Sequence, residues 1–151
     1  MISGTLEKKI IDSLPYGRQF LFVDSVTNVS ENEIIGTYAF QKNETFYQGH
    51  FPEKPITPGV ILVETMAQIG LVCFGIYLLH LQETRQEYLP FLSHIEADLI
   101  LPVYPGETVS VQAQKVYFRN NILKCKIKMI NYEVKTVVIM TGICNIKFIS
   151  K

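Results

Sequence analysis

A chain of 151 residues, 48% of them hydrophobic, is too apolar to be disordered and long enough to bury one substantial core, so a single domain over 1–151 is expected. Lys and Arg together number 14, as do Asp and Glu; a net charge of zero argues against a nucleic-acid binder, which needs a large basic excess. The same neutrality lowers colloidal solubility and suits a protein that hides surface in an oligomer.

Leu6 to Ser13 reads as a short helix ending before Leu14-Pro15. Met1 to Gln19 carries Glu7, Lys8, Lys9, Asp12 and Arg18 and no apolar run of leader length, which predicts no secretory signal. Phe20 to Val29 and Ile34 to Phe40 read as strands about a turn at Ser30–Glu33. Gln41 to Phe46 is polar and loop-like, and a proline-rich loop follows from Gly49 to Pro58. From Val60 to Leu81 the chain is apolar nearly all round. A membrane span needs about 20 apolar residues, but Glu64, Thr65 and Gln68 interrupt the run. The clean stretch Ile69–Leu79 holds 11 residues, which predicts a helix buried in a protein core and no membrane span.

Gln82 to Glu87 reads as a charged loop and Leu92 to Leu101 as a strand, after which Pro102–Glu107 turns the chain. Thr108–Phe118, Leu123–Met129 and Thr136–Ile149 read as three further strands, with turns at Asn120-Asn121 and Asn131–Glu133. Leu123, Cys125, Ile127 and Met129 alternate with Lys124, Lys126 and Lys128, the pattern of a half-buried strand whose lysines face solvent. Two strands, one long buried helix and four strands with short connections predict an α+β fold with a mainly antiparallel sheet. One curved sheet covers only part of a helix that is apolar on every side, so a second subunit is expected to cover the rest. Cys73, Cys125 and Cys144 are widely spaced in apolar sequence with no Cys-x-x-Cys pair, which predicts buried, reduced thiols in a cytoplasmic protein and neither a zinc nor a redox site.

The residues from Gly49 to Gln68 carry the chemistry. Pro52, Pro55 and Pro58 fix their own φ and push each preceding residue toward extended geometry, so His50 sits on a stiff loop. Pro58 suits a first helical position, and Gly59 lets a ligand approach the backbone. The first N–H groups of a helix lack intrahelical partners and carry the positive end of its dipole. A thioester oxygen on the N–H of Gly59 or Val60 is therefore stabilised as it gains enolate charge, an effect worth about 10²–10³ in rate. Imidazole exchanges protons near neutral pH, which makes His50 the candidate base, a role worth roughly 10²–10⁴. Glu64 is costly to bury without a partner; desolvation raises a carboxyl pKa toward what an acid catalyst needs, and Gln68, one turn on, is placed to hydrogen-bond it. His80 and His94 have no such constellation and read as structural.

The run His50-Phe51-Pro52, Pro55, Pro58-Gly59-Val60, Glu64, Ala67-Gln68 resembles the active-site signature of the β-hydroxyacyl-acyl carrier protein dehydratases. Leu14-Pro15 with Phe20–Asp24, Gln48-Gly49, Pro102-Val103 and Pro105-Gly106-Glu107 extend the resemblance over about residues 10 to 148. The resemblance implies a hot-dog fold, a long central helix wrapped by a curved antiparallel sheet. It implies a homodimer, or a trimer of dimers, with His50 from one subunit and Glu64 from the other. The implied reaction removes water from a (3R)-3-hydroxyacyl thioester to give the trans-2-enoyl thioester. His50 would take the C2 proton, Glu64 would protonate the C3 hydroxyl and Gly59 N–H would polarise the carbonyl, with Val60, Phe51 and Gln68 also in the substrate site. No metal or organic cofactor is implied; phosphopantetheine of an acyl carrier protein, or coenzyme A, brings the substrate. Glu rather than Asp at position 64 resembles the branch that dehydrates without isomerising.

Two positions depart from the family. Tyr16-Gly17-Arg18 follow Leu14-Pro15 where a Leu-Pro-His-Arg opening is usual. Glu96–Leu101 holds no Lys or Arg where the family often has basic residues, so docking of an acidic carrier would use Arg18, Lys54 or Arg119. This leaves open a specialised polyene or polyketide-like pathway beside fatty-acid synthesis. An acyl-thioesterase using Glu64 to activate water and a non-catalytic acyl-binding subunit are the competing readings; the His50/Glu64 pair favours the dehydratase.

Overall fold

The computed structural model describes residues 2–82 and 87–149. The order of elements is α1 (Gly4–Asp12), β1 (Ser25–Val29), β2 (Glu33–Ala39), α2 (Gly59–Ala67), α3 (Phe74–Leu81), β3 (Tyr88–Leu99), β4 (Thr108–Arg119), β5 (Ile122–Ile130) and β6 (Thr136–Phe148). Short 3₁₀ turns occupy Arg18–Phe20 and Thr45–Gln48. Four of the expected charged-loop residues, 83–86, lie outside the described residues.

The six strands form one antiparallel sheet in the order β1-β2-β4-β5-β6-β3. The β4–β5 hairpin turns on Asn120 and Asn121, both at positive φ (51° and 58°), the conformation that a two-residue hairpin needs and asparagine tolerates. Between β5 and β6, Asn131 Oδ1 accepts from the N–H groups of Glu133 and Lys135, at 3.0 Å each. One face of the sheet is buried by alternate residues, such as Val109, Val111 and Ala113 on β4 and Leu123, Cys125, Ile127 and Met129 on β5. Lys126 and Lys128 stand exposed on the other face and Lys124 is half-buried there, as the alternation predicts.

Across the buried face runs the helical segment Gly59–Leu81. Its 23 residues are long and apolar enough to cross a membrane, yet most of it is buried within this protein. Met66, Ile69, Leu71 and Phe74 have no exposed surface. Gly70 permits the close approach: a Cβ there would lie 2.8 Å from Ile127 Cδ1 and 3.1 Å from the Ala113 Cβ. The helix is not uniform, because a π turn over Gln68–Cys73 joins α2 to α3. The architecture is the hot-dog arrangement that the sequence resemblance implies.

Two strand boundaries differ from expectation. Phe20–Asp24 is not strand; β1 begins at Ser25. The buried Gln68 amide takes the backbone groups a neighbouring strand would have taken, accepting from Phe22 N–H at 2.8 Å and donating to the Phe20 carbonyl at 2.9 Å. β3 starts at Tyr88, ahead of the expected Leu92, and includes Pro90. It is an edge strand, where the missing proline N–H costs no ladder bond.

Candidate active site

His50 stands on a loop that is tied at both ends. Its N–H donates to the Phe46 carbonyl at 3.0 Å and its carbonyl accepts from Ile56 N–H at 3.0 Å. Beneath the loop, the buried hydroxyls of Tyr47 and Thr57 are bonded at 2.6 Å, and Thr57 N–H donates to the Val103 carbonyl at 2.9 Å. Tyr38 donates its hydroxyl to Glu44, just ahead of the loop, and burial holds the Glu44 carboxyl above its ordinary range.

The imidazole has a defined tautomer. Nδ1 lies 2.9 Å from the Ile56 carbonyl oxygen, which can only accept, so the neutral ring carries its proton on Nδ1 and its lone pair on Nε2. The ring stacks on Phe51 with centroids 4.0 Å apart, and the His50–Phe51 peptide is cis. Phe51 is 52% exposed, free to touch a ligand or a second chain.

At the start of α2 the Pro58 carbonyl accepts from the N–H groups of Ile61 (2.9 Å) and Leu62 (3.2 Å). The N–H groups of Gly59 and Val60 have no acceptor among the described residues. They are the free donors that the helix start was expected to supply. Val60 is 75% exposed, and a Cβ on Gly59 would meet Leu99 Cδ2 at 3.0 Å, so the end of β3 borders this corner.

Glu64, half-buried on α2, accepts from Gln68 Nε2 at 2.9 Å through Oε1. Burial raises its carboxyl pKa and the Gln68 bond opposes part of that rise. It opens into a cavity of about 240 Å³ lined by Tyr16 and by the apolar side chains of Leu71, Val72, Phe91 and Leu92, among others. Cys144 also faces this cavity; burial pushes its thiol up to about 11, which keeps it protonated and inert. Cys73 and Cys125 are buried and free as well. Among the described residues no group of three or more His, Cys, Asp or Glu is placed to hold a metal ion.

One chain therefore brings some of the expected residues together and leaves others apart. Glu64 and Gln68 form one unit; His50 and Phe51 form another. Neither His50, Phe51 nor Gly59 lines the Glu64 cavity. Gln68, expected in the substrate site, has no exposed surface and spends both its amide groups on Glu64, Phe20 and Phe22, so it acts on a substrate only through what it positions. His80 and His94 are exposed and stand away from this cavity. Tyr16 was not anticipated as a cavity residue. Its only sequence signal is its place right after Leu14-Pro15. The buried pin Tyr47–Thr57 had no sequence signal beyond ordinary loop composition.

The model of the FabA-like domain family matches residues 14–147. The 3-hydroxyacyl-acyl-carrier-protein dehydratase FabZ of Ehrlichia chaffeensis is 36% identical over 119 residues, covering 78% of this chain and 78% of that protein. The protein of the same name from Caldicellulosiruptor bescii is 33% identical over 129 residues, covering 83% and 89%. Among solved structures, the dehydratase heterocomplex ApeI:P from Xenorhabdus doucetiae superposes with a TM-score of 0.76 at 14% identity, over 94% of this chain and 91% of that one. The thioesterase HI1161 from Haemophilus influenzae gives 0.58 at 16% identity, over 84% and 80%. At such identities these two structures speak for the fold alone.

Proposed function

Because the chain belongs to the FabA-like domain family, we propose that it is a (3R)-3-hydroxyacyl-acyl carrier protein dehydratase, a hydro-lyase of fatty-acid or related polyene or polyketide-like synthesis. The observation that carries this reading is the way two side chains are held. The Nδ1 bond to Ile56 leaves Nε2 of the neutral His50 ring open as a base, and burial raises the pKa of the Glu64 carboxyl, the direction a general acid needs.

His50 Nε2 takes the C2 proton. The electron pair of that C–H bond forms the C2=C3 double bond as the C3–O bond breaks. Glu64 gives its proton to the departing oxygen, and water leaves. The free N–H of Gly59, with that of Val60 beside it, holds the thioester oxygen as it gains negative charge at the positive end of α2. The step needs no metal or organic cofactor of the protein's own.

His50 does not line the Glu64 cavity within one chain, and in this reading a second copy completes the site. The two sheet edges differ in what they would offer such a copy. β1 is short and bulged, and Ile2 N–H donates to its Thr27 carbonyl. β3 is 12 residues long and exposes Phe91, Leu92, Ile95 and Leu99, an edge suited to pairing with another strand. The carrier's acidic surface has the exposed cations Arg18, Lys54 and Arg119 to dock on; Lys54 closes the turn with Phe51 beside His50. Three buried, unpaired thiols suit a reducing cytoplasm.

The test is turnover of a trans-2-enoyl thioester, followed by loss of the conjugated absorbance with free thiol measured in parallel. Hydration without thiol release is expected, with His50→Ala slower by about 10²–10⁴-fold. Thiol release by the wild type would make the protein a thioesterase, and binding without turnover would make it an acyl-binding subunit.

A further inference from the structure

We propose that Tyr16 is a substrate-contacting residue, donating its hydroxyl hydrogen to the oxygen on C3 from the wall of the cavity that also holds Glu64. This rests on the dehydratase reading and adds a residue to it. Tyr16, Glu64 and the Cys144 thiol line the 240 Å³ cavity, with Ala67, Leu71, Val72 and other apolar side chains around them. Among the described residues the Tyr16 hydroxyl has no hydrogen-bond partner, and neither has Glu64 Oε2, whereas Glu64 Oε1 is fixed by Gln68. A half-buried hydroxyl gains most from a partner that arrives with a ligand. An oxygen entering this cavity on an otherwise apolar chain meets these two groups, with the Cys144 thiol only a weak donor beside them, which suits a 3-hydroxyacyl group.

The two groups are also held to one another. Gln68 binds Glu64 and, through the Phe20 carbonyl and the Phe22 N–H, the segment that follows Tyr16. The Phe20 ring lies 6.3 Å from that of Tyr16. One buried amide thus sets both walls of the polar end of the cavity. Burial, and then the charge of Glu64, push the Tyr16 phenol well above its ordinary range, so it stays an O–H donor and does not itself give up a proton. In the reaction the Glu64 proton is the one transferred to oxygen; the Tyr16 bond strengthens as the C3–O bond breaks and negative charge gathers on oxygen.

Tyr16→Phe keeps the ring and removes only the donor. In the hydration direction the enoyl substrate has no C3 oxygen, so the variant should lose roughly tenfold in kcat with KM unchanged. A second measurement uses the inactive His50→Ala background and pantetheine thioesters of one chain length, one (3R)-3-hydroxylated and one saturated. With Tyr16 present the hydroxylated ligand should bind about five- to tenfold more tightly relative to the saturated one than it does in the Tyr16→Phe variant. Unchanged kcat with an unchanged binding ratio overturns the contact. Equal weakening of both ligands also overturns it, since that is a general distortion. A wild type that hydrates no enoyl thioester sinks the dehydratase reading and this inference together, whereas an active wild type matched by Tyr16→Phe sinks this inference alone.

Discussion

The loop that carries His50 and the helical turn that carries Glu64 lie close in sequence but satisfy their polar groups in different ways. The loop fixes its backbone and its Nδ1 and then leaves its working atoms open: Nε2, the Gly59 and Val60 N–H groups, the face of Phe51. The turn is sealed from behind: Gln68 is wholly buried, each of its amide groups is used, and only the cavity side of Glu64 is free. One region leaves polar atoms open at the surface, and the other keeps a carboxyl partly out of water. A single chain thus presents two separate half-sites, which the proposed second copy would join.

That reading is most sharply broken by complementation. If His50 and Glu64 act across a dimer interface, His50→Ala and Glu64→Gln are each inactive as homodimers. A mixed dimer pairs the intact His50 of one chain with the intact Glu64 of the other in one of its two sites. Unfolding and refolding the two variants together at equal amounts, with random pairing, should restore about a quarter of wild-type hydration activity. No recovery, with mixed dimers demonstrated by mass spectrometry, would place both groups in one chain's site.

The sealed half is tested through Gln68. Gln68→Leu keeps the volume and removes the acceptor for Phe22 N–H and the donor for the Phe20 carbonyl, leaving two backbone groups without partners. A loss of roughly 2–4 kcal/mol in unfolding free energy is expected. For a chain of this size that lowers the melting temperature on the order of 10 °C. A neutral effect would mean that the Phe20–Asp24 segment finds other partners and that Gln68 is not what holds it.

Gln68 also marks the limit of what was legible in the chain. The alternation of Lys124, Lys126 and Lys128 with buried residues identified β5, and the all-round apolar run identified the central helix, because both are periodic and local. The unpaired Gly59 and Val60 N–H groups and the Glu64–Gln68 bond were legible for the same reason: a helix start and an i, i+4 pair are set within a few residues. Phe20–Asp24 misled because its β-propensity is real, but its backbone is claimed by a side chain 46 residues away. Tyr16 stayed hidden likewise, since only the folded chain brings it to the Glu64 cavity. The start of β3 at Tyr88, ahead of the expected Leu92, was not legible: Pro90 is tolerated in a strand only at an edge, and which strand lies at an edge is a fact of topology.

The smallest expected effect bears on the proton held at Glu64. Its carboxyl pKa is raised by burial from the ordinary 4.5, so folding takes up a proton in the pH range between that value and the raised one. Through that range the folded state binds more protons than the unfolded state, and the contribution to stability falls as pH rises, levelling off once the folded carboxyl also ionises. Glu64→Gln is uncharged at every pH, and its side-chain oxygen still accepts from Gln68. The raised Glu44 is common to both proteins and cancels in the comparison. Urea unfolding at a series of pH values should therefore show the variant gaining on the wild type as pH climbs above 4.5, with the difference constant at higher pH. A difference that is flat throughout would mean that Glu64 is as well solvated as in the unfolded chain, and the acid half of the site would then have no buried proton to give.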